Sequence, residues 1–95
     1  MTRAWAAAFA ASCALSACAR PEAPVKLAVI APMSGELAAD GQGMQRAVTL
    51  AVEDARADGT LSRPVEVLAL DDRADPAAAA AAAGQAAADP AVFAV

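Results

Sequence analysis

Few side chains in this sequence can do chemistry, and they cluster at four places: Ser34 beside Gly35, Asp40 before the pair Gly41 and Gly43, the carboxylates Asp71 and Asp72 followed by Arg73, and Cys18. Ser34 comes a few residues after an apolar run, next to a glycine that lets the backbone approach a ligand. Its hydroxyl can donate or accept a hydrogen bond, in a turn or toward a solute. As a nucleophile it would need a base, and the chain has no histidine. Asp71 and Asp72 follow a strand-like segment, where neighbouring side chains point to opposite faces, so shared acid and base work is disfavoured. With Arg73 alongside, a salt-linked loop is the expectation; an isolated aspartate could also hold an ammonium group.

The glycines of Gly41-Gln42-Gly43-Met44-Gln45-Arg46 do not make a dinucleotide loop. Arg46 stands where a third glycine is required, and Gly41 comes well after the preceding strand instead of immediately after it. Both cysteines, Cys13 and Cys18, lie in the first eighteen residues, so zinc ligation and thiol catalysis lack material further on. No metal, cofactor or catalytic residue is expected, and the chain does not read as an enzyme.

The beginning of the chain carries a different signal. Arg3 precedes an uncharged run from Ala4 to Ala17, the pattern of an export signal. It is shorter and poorer in large apolar residues than the roughly 20-residue span of a membrane helix. Leu15-Ser16-Ala17-Cys18 resembles the bacterial lipoprotein signal motif, which implies cleavage before Cys18 and lipid attachment to it. The expected organisation is a signal over residues 1–17, a lipid-anchored, proline-containing tether over 18–24, and a folded part over 25–95. The expected location is the periplasmic or extracellular face of the cell envelope.

Beyond the signal, six basic residues face eleven carboxylates, a net charge of −5, and Phe93 is the single aromatic. Without a basic cluster or a stacking platform, nucleic acid is not an expected partner.

The elements that would position these residues alternate. Val25 to Ala31 is a nearly continuous apolar run, as in a strand covered on both faces, and Pro32 ends it. A helix from about Gly41 to Asp58 follows, with Ser34 or Asp40 as possible caps. Its apolar stripe is Met44, Ala47, Val48, Ala51, Val52 and Ala55, and Gly59 closes it. Gly43 in its first turn implies either a later start or close backbone packing. Val65 to Leu70 reads as a second strand, nearer an edge because of Glu66. Asp75-Pro76 opens an alanine-rich helix, and Ala91 to Val95 reads as a third strand. The order strand, helix, strand, helix, strand predicts a right-handed parallel βαβαβ unit in a three-layer α/β fold. Two alanine-rich helices cover such a sheet thinly, so the chain is expected to be the N-terminal piece of a longer protein.

Three segments in this order, Ile30-Ala31-Pro32-Met33-Ser34-Gly35, Gly41-Gln42-Gly43-Met44 leading to Ala51-Val52-Glu53-Asp54-Ala55, and Leu70-Asp71-Asp72-Arg73-Ala74-Asp75-Pro76, resemble the branched-chain amino acid type of periplasmic solute-binding protein. The resemblance implies one lobe of a two-lobed receptor that closes over a small solute, an amino acid or related compound, and passes it to an ABC permease. It also implies that the chain covers only the start of the first lobe. The ligand-facing candidates it leaves here are Ser34 and Asp40. Where Asp40 stands, the family often carries an aromatic residue, and aspartate suits a polar or cationic ligand or a helix cap. A sensory or cell-envelope regulatory lipoprotein of the same fold, and a nonfunctional truncated product, are the alternatives.

Overall fold

The structure is a computed structural model that describes residues 22–95; the expected signal and Cys18 lie outside the described residues. Five elements follow in the expected order: β1 (Val25–Ala31), α1 (Ala38–Ala57), β2 (Val65–Asp71), α2 (Pro76–Ala88) and β3 (Val92–Ala94). All strands are parallel and their spatial order is β2-β1-β3. The most apolar strand, β1, is therefore central, and Glu66 does lie on an outer strand.

This order fixes the layers. The chain passes from β1 to β2 in one direction and from β2 back across β1 to β3 in the other. With right-handed crossovers, a reversal of direction places α1 and α2 on opposite faces, giving three layers. Strand alternation agrees: Ala28, Ile30, Leu68 and Leu70 turn to one face, where they pack with Ala82 and Ala86 of α2 and with Val92. The opposite face holds Val65 under Val52 of α1.

The core is built largely from small side chains. Ala28, Ala31, Ala82 and Ala86 are buried, and Val52, Val65 and Leu70 are the larger buried residues. Alanine removes little area from water, so stabilisation at about 25 cal/mol per Å² depends on close approach over many atoms. Ala82 and Ala86 are one helical turn apart, which seats α2 against the sheet along a line of methyl groups.

Helix α1 departs from the expected one. It begins at Ala38, not near Gly41, and its N-cap is Leu37 with no side-chain cap. Neither Ser34 nor Asp40 caps it. The stripe is also rotated: Val52 is buried as expected, but Met44 is 54% exposed and Ala47 and Ala51 are exposed too, whereas Gly41 is buried. Gly41 sets the rotation. An ideal Cβ on it would lie 1.9 Å from the Pro32 carbonyl oxygen, whereas one on Gly43 would meet nothing within 4 Å. The close backbone packing expected of Gly43 thus belongs to Gly41, and the helix turns its smallest residue, not its largest, to the end of β1.

The C-terminus of α1 is a Schellman motif. The Gly59 amide donates to the Arg56 carbonyl and the Thr60 amide to the Ala55 carbonyl, with Gly59 at φ 77°. The Arg56 guanidinium donates to the Val65 carbonyl at 3.2 Å, tying the end of α1 to the start of β2. Asp75 caps α2 as expected, accepting from the Ala78 amide at 2.9 Å with Pro76 in the first turn. At the N-terminal end of the sheet, the Lys26 ammonium meets the Asp89 carboxylate at 2.7 Å. This pair raises the pKa of Lys26, and with the Ala91 amide it lowers that of Asp89.

Gly41→Ala and Gly43→Ala should therefore move stability in opposite directions. The first forces methyl and carbonyl apart and is expected to cost about 2 kcal/mol or more. The second removes backbone freedom from an open helix position and is expected to gain about 0.5–1 kcal/mol. Urea unfolding followed by circular dichroism distinguishes them; equal shifts would refute the assignment of the close approach to Gly41.

Candidate functional site

In an open parallel sheet, solutes bind beyond the carboxyl ends of the strands, where neighbouring connections leave in opposite directions. Here that point is between β1, whose connection leads to β2, and β3, on its other side. The segment from Pro32 to Leu37 leaves the central strand at that carboxyl end. Its residues Ser34 to Leu37 are exposed.

This loop is fastened from beneath by Asp71. The register pairs Ala31 with Asp71, so the two strands end side by side. Asp71 Oδ1 accepts from the Met33 amide at 2.9 Å and from the Arg73 amide at 2.9 Å, and Oδ2 accepts from the Ser34 hydroxyl at 2.6 Å. The Asp72 amide in turn donates to the Ala31 carbonyl at 3.1 Å. One carboxylate thus joins the loop after β1 to the loop after β2. The Ser34 hydroxyl, followed by the Arg73 amide, holds the Asp71 carboxyl below its ordinary pKa.

The loop after β2 is not salt-linked, contrary to expectation. Among the described residues Arg73 contributes its backbone amide and no ion pair. Asp72 Oδ1 accepts from the Ala74 amide at 2.8 Å, and the Asp75 amide donates to the Asp72 carbonyl at 2.9 Å. These bonds hold Arg73 and Ala74 in left-handed conformations, φ 50° and 53°. That region costs a residue with a Cβ about 1 kcal/mol or more, so backbone amides aimed at carboxylates offset real strain.

The structure brings Ser34 and Asp71 together but places Asp40 elsewhere, in the first turn of α1. Asp40 is exposed, and its amide donates to the Leu37 carbonyl at 3.0 Å. A carboxylate there is favoured by the positive end of the helix dipole. A depression of about 600 Å³ runs from Met33 along α1 to Glu53 past Gln42, Gln45, Arg46 and Thr49, and neither Ser34 nor Asp40 lines it. A smaller hollow of about 160 Å³ lies on the α2 side, with Leu70, Asp71, Arg73 and Gln85 at its walls. Among the described residues no group of three histidine, cysteine, aspartate or glutamate side chains is placed to hold a metal ion, and no helix is long and apolar enough to cross a membrane.

The role of Asp71 toward Met33 and Ser34 spans nearly forty residues of sequence and was not foreseen. Its signal was present in the pairing of two parallel strands of equal length, which sets the residue ending β2 beside the loop that leaves β1.

Residues 24–95 match the family model of periplasmic binding proteins, which takes in all five elements. The chain belongs to the periplasmic binding protein family. No curated protein and no solved structure matches it. Its three-layer βαβαβ unit corresponds to one lobe of such a binding protein. As a periplasmic binding protein it acts outside the cytoplasm and holds a solute without transforming it, so it is not an enzyme.

The depressed pKa of Asp71 predicts how this brace depends on pH. An unfolded aspartate titrates near about 3.9. Since the folded value lies lower, the brace contributes fully above the unfolded value and is lost as pH falls through the folded one. The carboxyl carbon of Asp71, followed by carbon-13 NMR, should titrate below about 3.9, and Ser34→Ala should move its midpoint upward. An identical midpoint in the variant would show that the hydroxyl does not hold the carboxylate.

Proposed function

We propose that this chain is the beginning of the first lobe of a lipid-anchored receptor that captures an amino acid or a related small compound and delivers it to an ABC permease. The observation that carries the reading is the loop from Pro32 to Leu37, exposed from Ser34 onward and braced by Asp71, at the carboxyl end of the central strand of a sheet whose family binds solutes. Ser34 and Asp40 are its ligand-facing groups on this lobe. Both present oxygen atoms, which favours a solute carrying hydrogen-bond donors, and an amino acid offers them in its ammonium group. The remaining contacts would come from later strands and a second lobe, which close over the solute about a hinge. Cys18 would carry the lipid, with residues 19–24 as a short proline-containing spacer between membrane and fold.

Cells lacking the gene should lose high-affinity uptake of at least one radiolabelled amino acid from a standard panel, and restoring the gene should return it. Unchanged uptake of the whole panel would overturn the import reading. Calorimetric titration of residues 18–95 with the same panel should show no affinity on the order of micromolar, the range of a complete small-ligand site. For the anchor, labelling with a radioactive fatty acid should mark the wild-type chain and not Cys18→Ala; equal labelling would exclude lipid attachment at this residue.

A further inference from the structure

One ion pair joins the fold to the segment that precedes it. The Glu22 carboxylate meets Arg63 Nε at 3.4 Å, and both side chains are exposed. Arg63 lies in the connection between α1 and β2, and the strand register sets Val25 opposite Val65. The pair therefore fastens the chain at the amino end of the sheet before β1 begins. Cys18 stands four residues before Glu22 and seven before Val25.

Three lengths decide what this fastening does to a chain held at Cys18. An extended chain spans at most about 3.6 Å per residue, so Cys18 lies within about 14 Å of Glu22 and about 25 Å of Val25. The strand β1, from Val25 to Ala31, rises about 3.3 Å per residue, or about 20 Å from the amino end of the sheet to the carboxyl end. While the pair holds, the free length is shorter than the sheet, and the carboxyl end cannot turn down to a surface that holds Cys18. Once the pair opens, the free length exceeds the sheet, and the body can turn over. Charge favours the first pose. Glu36, Asp40, Asp71, Asp72 and Asp75 gather toward the carboxyl end, whereas at the amino end Lys26 is paired with Asp89 and Arg63 with Glu22. An anionic lipid surface repels the carboxyl end more strongly.

We propose that the Glu22–Arg63 pair is an orientation strap: closed, it stands the amino end of the sheet, with the connections 58–64 and 89–91, on a lipid surface and holds the loop after β1 away from it. This rests on the lipid-anchor reading and names the face of the fold that meets the membrane. An exposed ion pair is weak and screened by salt, so the strap is a latch that opens readily. Opening it lets the loops at the carboxyl end come down to the membrane in which a permease would lie.

The test uses the mature chain, residues 18–95, whose single thiol is that of Cys18. This thiol is coupled to a maleimide lipid in nanodiscs that also carry a gadolinium-chelating lipid, and paramagnetic broadening of the amide NMR signals reports approach to the membrane, a minority pose included. In the wild type the Thr60 and Ser62 amides should lose their signals, while those of Ser34 and Glu36 remain. Arg63→Ala and Glu22→Ala should each raise the broadening at Ser34 and Glu36 about two- to fivefold, the range an exposed ion pair carries. The double exchange, Glu22→Arg with Arg63→Glu, should restore the wild-type pattern. Because both side chains are exposed, the amide shifts of β1 and β2 should stay unchanged in every variant, which checks the fold. Equal broadening at both ends of the wild type, no change in either alanine variant, or a double exchange that behaves like the alanine variants would each overturn the proposal. The lipid is attached chemically, so a failure here is distinguishable from a failure of the fatty-acid labelling.

Discussion

A single carboxylate, that of Asp71, holds together the loops at the carboxyl end of the sheet. Two parallel strands ending in register leave two loops side by side with unpaired amides, and an acceptor with two oxygens at the end of one strand can serve both. Without it, the loop that leaves β1 would have to find other partners for the Met33 amide and the Ser34 hydroxyl, and the left-handed turn at Arg73 and Ala74 would lose one of its two carboxylate acceptors. The shape of the exposed loop after β1 and the strained turn after β2 are two results of one electrostatic arrangement.

The rest of the unit is arranged so that this edge can be stiff although the core is thin. Alanines at Ala28, Ala82 and Ala86 let α2 come close to the sheet, and Gly41 lets α1 come close to Pro32. Neither contact gives much area per residue, so the larger side chains Val52, Val65 and Leu70 matter out of proportion to their number. At the opposite end of the sheet, Lys26 and Asp89 tie β1 to the connection between α2 and β3. Both ends of the central strand are thus held by an aspartate from a neighbouring element, one through amides and a hydroxyl, the other through an ammonium.

Much of this was legible in the sequence because the signals were local. The apolar run ending at Pro32, the cap and proline at Asp75-Pro76 and the glycine closing α1 are read from adjacent residues, and the structure has each of them in place. The start and rotation of α1 were not legible, because side-chain size suggested that Met44 should face the sheet. Backbone proximity decided otherwise, through a glycine whose partner lies in a different element. The same limit hid the reach of Asp71: Arg73 beside it suggested a salt link, whereas its partners include amides and a hydroxyl brought near only by strand pairing. Ser34 and Asp40 were singled out by chemistry alone, and of the two only Ser34 is gripped by another element.

The contact between Gly41 and Pro32 has a bearing on movement. The loop between them leaves the sheet and is clamped again where the helix backbone touches the strand end, so it forms a nearly closed ring with little freedom at either foot. Bending for lobe closure would then fall to segments other than this one. A loop clamped at both feet in this way has little conformational entropy left to lose on any further contact.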